Sequence, residues 1–305
     1  MKHTVHETLA TAFESYSIVR QLRAVPPHEV YEVTVNGHHA VYKGNTGPTG
    51  KAAIEGRVTA FLGEQTSVPV PRIVRVGDDY FVAKWHPDAP PADARRDIDE
   101  TWAFVAGRGL ATLHAETNQF IDTYGQFQPQ NGELTITGAS DWHTAAIAYV
   151  RRHRSVPDQQ GHADSVDTVI DVLTDRSELF EDADSPVCCH GWATPEHISV
   201  SDDQVNCIVD FEHALAAPGE FDYWRTVFPT FNHNTAALEQ TFRDGYESIR
   251  SFPAGFERRK PLYLLMNLVY YFKSLYVQNQ HGLEETAKRA KRFRKDISET
   301  VKRLS

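Results

Sequence analysis

The side chains of this chain that can do chemistry gather late in its sequence. His190 and His197 bracket the loop His-Gly-Trp-Ala-Thr-Pro-Glu-His, Asp210 and Glu212 flank Phe211, His213 follows, and Asp222 closes the run. Carboxylates and imidazoles at this density can hold a cation or move protons. Residue types alone leave more than one chemistry open. One reading takes His190, His197, Asp210 and His213 as a transition-metal set for hydrolysis. Another brings in two upstream groups, Lys43 at the end of an apolar run and Glu55 in the next helical stretch. A long flexible cation steered by an acid is suited to phosphate.

These groups need elements to carry them. From Glu29 to Lys43, short β-branched and aromatic runs flank Asn36-Gly37, which predicts a hairpin with Lys43 at its far end. A connection rich in Gly, Thr and Pro follows. Ile54, Val58, Phe61 and Leu62 then recur at helical spacing over Ala52–Gly63, which puts Glu55 at the start of a helix. Prolines 69 and 71 and the Gly77-Asp78-Asp79 turn predict two further short strands. Residues 1–85 therefore read as a small β-rich unit with one helix, and His86–Ala94, dense in proline and acid, as a linker. Beyond the linker helical periodicity dominates: Trp102–Ala115, Trp142–His153, Val166–Phe180, Thr235–Ile249, Pro261–Val277 and Leu283–Leu304. Val187–Phe211 is the exception, two short apolar runs around a polar turn at Ser201–Gln204, and it carries the chemistry. The expectation is an α+β chain, with a β-rich part over 1–85 and a helical part over 86–305.

Composition narrows the partners. Acids outnumber bases 41 to 31, for a formal charge of −10, so the chain lacks the basic surface that nucleic acid demands. The most apolar stretch, Pro261–Val277, is interrupted by Asn267, Lys273 and Ser274, which argues for a core helix and against a membrane span. The N-terminal residues show no basic start followed by an apolar run, and Cys188, Cys189 and Cys207 have no metal or disulfide spacing. A cytoplasmic setting is expected. The last predicted helix sets six Lys and Arg residues opposite an apolar stripe, the pattern of a solvated face.

The loop frame is specific. His190-x-Trp192, four residues, His197, and then Asp210-Phe211 matches in spacing a kinase-type catalytic loop, His-x-Asp with a later Asn, and the metal-binding Asp-Phe motif after it. Leu110-Ala111-Thr112-Leu113-His114-Ala115, Val68-Pro69-Val70-Pro71-Arg72 and Gly219-Glu220-Phe221-Asp222 extend the match over nearly the whole chain. In this order the motifs resemble the aminoglycoside phosphotransferase and choline kinase superfamily, which also includes fructosamine kinases. The resemblance implies a two-lobed protein-kinase-like fold and ATP-dependent phosphoryl transfer to a small-molecule hydroxyl. It implies that Lys43, held by Glu55, neutralises the α- and β-phosphates. Asp210 would bind magnesium, Glu212 would reach a second metal or shape the site, and His190 and Asp222 would support the loop. The segment Gly44–Lys51 fails as a Walker loop, because Asn45 and Ala52 stand where glycine and Ser or Thr are required.

Two positions depart from the family's pattern. Trp192 replaces the aspartate that takes the acceptor's proton, and His197 replaces the asparagine that holds a metal ion. Glu196 and Glu212 are the acids placed to substitute, and an imidazole at 197 favours manganese or zinc over magnesium. Trp192 could also offer its face to a cationic substrate. The alternative is a pseudokinase that binds nucleotide or another small ligand without turnover. In this family the acceptor is bound by a variable helical insert, here about 119–184, and its acids Asp141, Asp158 and Asp164 suit an amine-bearing substrate.

Overall fold

A computed structural model describes residues 4–91, 98–130 and 132–304. The N-terminal lobe begins with a short helix, α1 (Val5–Ala12), and continues through strands β1 (Tyr16–Val25), β2 (His28–Val35) and β3 (His38–Asn45) to α2 (Ala52–Gln65). Strands β4 (Ile73–Val76) and β5 (Tyr80–Lys84) complete it. The sheet is antiparallel in the order β1-β2-β3-β5-β4. The expected hairpin turns at Asn36-Gly37, both in the left-handed region, as a tight two-residue turn requires. Two elements here go beyond the sequence reading. Helix α1 starts with a capping box between Thr4 and Glu7 and seats Val5 and Leu9 on the sheet. Strand β1 lies on the sheet's edge and breaks register twice against β2, at Ile18/Arg20 and Gln21/Arg23. Those bulges destroy the two-residue alternation by which a strand is recognised.

The C-terminal lobe is helical around a second sheet. Helix α3 (Glu100–Thr117) leads into β6 (Tyr124–Gln130) and β7 (Glu133–Ala139). Helices α4 (Trp142–His153), α5 (Ser155–Gln159) and α6 (Ala163–Asp175) follow, the last continued by a 3₁₀ turn, Ser177–Phe180. The site-bearing segment is β8 (Pro186–Cys189), β9 (Ile198–Ser201), β10 (Gln204–Ile208) and β11 (Leu215–Pro218). Helices α7 (Gly219–Thr230), α8 (Ala236–Glu247), α9 (Phe256–Gln278) and α10 (Leu283–Leu304) end the chain. Residues 119–184, expected as a helical insert, also hold the β6–β7 pair, which joins β11 and β8 in the order β7-β6-β11-β8. Helix α7 was legible only as a motif, because Gly219–Val227 is buried on every side and shows no amphipathic stripe. The expected linker is described from His86 to Pro91, and its last residues, 92–94, lie outside the described residues.

One large core joins the lobes. Val58, Leu62 and Val68 of the N-terminal lobe pack in the same cluster as Leu110, Leu113, Phe211, Phe221 and the buried face of α9. The catalytic-type loop, 190–197, lies between these packed elements. No helix among the described residues is long and apolar enough to cross a membrane.

Candidate active site

Lys43 is carried by β3, paired with Val30 on one side and Phe81 on the other, and its side chain is buried beneath the sheet. Its Nζ lies 2.7 Å from Glu55 Oε2 on α2, 2.6 Å from Asp210 Oδ1 and 3.2 Å from Glu212 Oε2. Three carboxylates share one ammonium. Burial alone would discharge Lys43, but Asp210, Glu55 and Glu212 hold its pKa well above the ordinary lysine value. Glu55 goes the other way, pushed up to about 8 by burial and then by the charges of Asp210 and Glu212, against the pull of Lys43. The cluster has more carboxylate than its one lysine can neutralise.

Asp210 follows β10 with a φ of +69°, a left-handed conformation that a non-glycine residue adopts at some cost. Burial works against its charge, yet Lys43, and after it His197, keeps its carboxyl far below the usual range. His197 Nε2 stands 3.2 Å from Asp210 Oδ2, and its Nδ1 donates to the Trp192 carbonyl at 2.8 Å. Glu212 is occupied on both oxygens. Lys43 and His28 Nδ1, the latter at 2.8 Å, meet Oε2, and His213 Nε2 lies 3.0 Å from Oε1. Opposed by burial, Lys43 and His213 hold the Glu212 pKa well below the ordinary carboxyl value. A carboxylate so stabilised is a poor proton acceptor.

Asp222, at the start of α7, holds the loop from beneath. Its Oδ2 accepts the His190 N–H at 2.6 Å, its Oδ1 accepts the Gly191 N–H at 2.8 Å, and His114 Nε2 lies 3.1 Å away. Gly191 has a φ of +81°, and a Cβ there would meet the His213 carbonyl at 2.4 Å, so only glycine fits. His190 accepts the Trp192 N–H on Nδ1 at 3.1 Å and points Nε2 at the Val209 carbonyl, 2.9 Å away. Burial, with the neighbouring His197, lowers its pKa to about 4, so it stands neutral.

Trp192 is half-buried among Tyr270, Tyr271 and His213. The Arg225 guanidinium carbon lies 5.7 Å from its ring centroid. The tryptophan ring thus has the protein's own cation beside it and does not by itself define an amine site. Asp141, Asp158 and Asp164 do not form an amine site either. Asp141 caps α4 by accepting the Thr144 N–H, Asp158 pairs on the surface with Arg154, and Asp164 is exposed. The transition-metal quartet is not assembled, because both His190 nitrogens face backbone groups and His213 turns to Glu212 and Tyr270. The carboxylates of Glu55, Asp210 and Glu212 do converge, with oxygens within 4.8 Å of one another. These hard donors, in excess over Lys43, fit magnesium or manganese held jointly with phosphate oxygens, and His197 adds one softer donor.

Two residues of this site escaped the sequence reading. His28 had no signal beyond its place after Pro26-Pro27 at the start of β2. Arg225 lay unmarked in an apolar-looking helix. Above the acids a cleft of about 760 Å³ runs between Val41 and Lys43 on the sheet, the Trp85–Pro91 connection, and Glu196, His197, Val209 and Asp210 below.

A two-lobed fold with a lysine–acid pair over a loop-and-carboxylate floor defines a kinase-like phosphotransferase. The chain belongs to the Phosphotransferase enzyme family, whose sequence profile matches residues 28–262. It is similar in structure to a thermostable mutant of aminoglycoside phosphotransferase APH(4)-Ia solved with ADP and hygromycin B, at 15% identity, with 98% of each chain covered and a TM-score of 0.68. It is also similar to a putative fructosamine-3-kinase from Thermobifida fusca, at 20% identity, covering 95% of this chain and 100% of that one, with a TM-score of 0.64. A putative aminoglycoside phosphotransferase from Ralstonia eutropha aligns at 16% identity over 97% and 96% of the two chains, with a TM-score of 0.61. These likenesses establish the shared fold. Curated proteins return no significant sequence match.

Proposed function

We propose that this protein transfers the γ-phosphoryl group of ATP to a hydroxyl of a small molecule. The observation that carries this reading is Lys43 clamped between Glu55 and Asp210 at the floor of the interlobe cleft. That arrangement suits phosphates entering above the lysine and a metal ion at Asp210, with Glu212 and His197 beside it. Magnesium or manganese, when bound, would neutralise charge on the transferring phosphate. In the transfer the acceptor oxygen bonds to the γ-phosphorus, the bond from that phosphorus to ADP's oxygen breaks, and the hydroxyl proton leaves to a base. Glu212 is too well neutralised for that task. We assign it to Glu196, which lines the cleft with His197 and Asp210. The protein's three cysteines are buried and unpaired, in keeping with a cytoplasmic setting, where ATP is available.

Glu196→Gln should lower turnover by about 10²–10⁴ while nucleotide binding persists, since a base acts mainly in the transition state. Unchanged turnover would sink its assignment. The packing of Trp192 in the usual base's place favours a second reading, a pseudokinase. For that reading ATP raises thermal stability, no acceptor is phosphorylated by the native protein, and Trp192→Asp with His197→Asn brings turnover into being. Absence of any nucleotide binding would overturn both.

A further inference from the structure

A second, smaller cavity of about 70 Å³ shares no lining residue with the nucleotide cleft and meets the space in front of Trp192 at Glu212, His213 and Tyr270. Four separate parts of the chain each bring a cation to its wall. Lys51 comes from the residue preceding α2, Arg152 from α4, Arg225 from α7 and Lys273 from α9. Glu212 is the single acid in the lining, and Lys43, His28 and His213 already hold it. Among the described residues no carboxylate lies within ion-pair distance of any of the four cations, in a chain whose formal charge is −10.

Arg225 and Lys51 are held by neutral groups. Arg225, 1% exposed, donates to the Gly191 carbonyl, to Tyr149 Oη at 2.7 Å and to Asn267 Oδ1 at 2.9 Å, and lies over the Tyr270 ring at 4.0 Å. Lys51 Nζ donates to Gln126 Oε1 at 2.9 Å. Burial first, and then the charges of Arg152 and Lys273, bring the Lys51 pKa down to about 7. Cations drawn together out of water without a counter-charge are costly, and an anion entering among them relieves desolvation and mutual repulsion at once.

We propose that this pocket binds an oxyanion, a phosphate or carboxylate group carried by the acceptor. The acceptor is then a hydroxy compound anchored by its negative charge, with the hydroxyl directed past Tyr270 and His213 toward the cleft. This rests on the phosphotransferase reading above and specifies its substrate class, replacing the amine-bearing acceptor expected from the sequence. The pocket's size suits the anionic group rather than the whole molecule.

Titration calorimetry without nucleotide tests the pocket, with sulfate as the tetrahedral probe and acetate as the carboxylate probe. The wild type should bind at least one of them, and the preferred probe names the group. Arg152→Met with Lys273→Met should weaken that binding by about tenfold or more per cation removed. Stabilisation by ATP and metal should persist in the double variant. If that variant does not fold, Lys273→Gln alone serves, with about a tenfold loss expected. Wild-type protein that binds neither probe, or variants that bind as tightly as wild type, would overturn the inference. So would sulfate binding abolished by saturating ATP and metal, because the cations would then belong to the nucleotide. The two readings fail separately. No anion binding with ATP stabilisation intact removes the anionic acceptor alone. Anion binding with no response to ATP removes the phosphotransferase reading, and the acceptor role with it.

Discussion

Lys43 and Lys51 stand eight residues apart in one lobe, and both are drawn in from solvent toward Glu212, yet they end in opposite surroundings. Lys43 meets three carboxylates, while Lys51 meets a neutral amide and the fields of other cations. The first region has an excess of acid and the second an excess of base. A cation neutralised within the fold contributes to the fold; one left without a partner is a demand placed on whatever binds. Burial alone therefore does not distinguish a structural charge from a recognition charge. What distinguishes them is whether the counter-charge is covalently part of the chain.

Removing each lysine should move stability in opposite directions. Lys43→Met leaves Glu55, Asp210 and Glu212 facing one another without their common partner and should cost about 3–5 kcal/mol in urea denaturation at neutral pH. A loss below 1 kcal/mol would mean that the acids do not depend on it. Asp210→Asn keeps the shape of the first region and removes the charge proposed to hold a metal ion. At a hundredfold excess of nucleotide over its dissociation constant, the stabilisation of about 2.7 kcal/mol seen with metal present should vanish, read as a lost thermal shift. An unchanged shift would take Asp210 out of the metal role.

The smallest expected effect sharpens the contrast most. Lys51→Met should raise the stability of the unliganded protein, by about 1 kcal/mol at pH 7, the low end for removing an uncompensated charge that is only partly buried. The sign follows from the pKa lowered to about 7 from 10.5. As pH falls from 10.5 to 7 the unfolded chain takes up a proton that the folded chain resists, so the penalty on wild type grows through that window and is complete below pH 7. The advantage of the variant should shrink as melts are repeated at rising pH toward 10.5. A variant less stable than wild type at pH 7 would break the comparison.

Much of this was legible in the sequence, and for physical reasons. The Asn36-Gly37 hairpin and helix α2 rest on local signals, a turn that needs left-handed backbone and a helical period, while the Lys43–Glu55 partnership followed from the family resemblance. The loop frame from His190 to Asp222 was readable because its parts keep fixed spacing. What the sequence did not yield depends on distant neighbours. β1 is an edge strand whose bulges erase its alternation, and α7 is buried all round. The basic pocket draws its four cations from residues 51, 152, 225 and 273, and no pattern along the chain marks them as neighbours. The acids of the 119–184 segment could be counted, but their turning outward or capping a helix could not.

Asp222 has one more consequence. The catalytic-type loop takes its shape from contacts to its backbone: two consecutive N–H groups on Asp222 and the Gly191 carbonyl on Arg225. None of these depends on which side chain occupies position 192. The loop behaves as a tool-holder clamped from below, in which the tool can be exchanged without recutting the holder. A tryptophan can therefore stand in the place of an acid while the surrounding frame keeps its form.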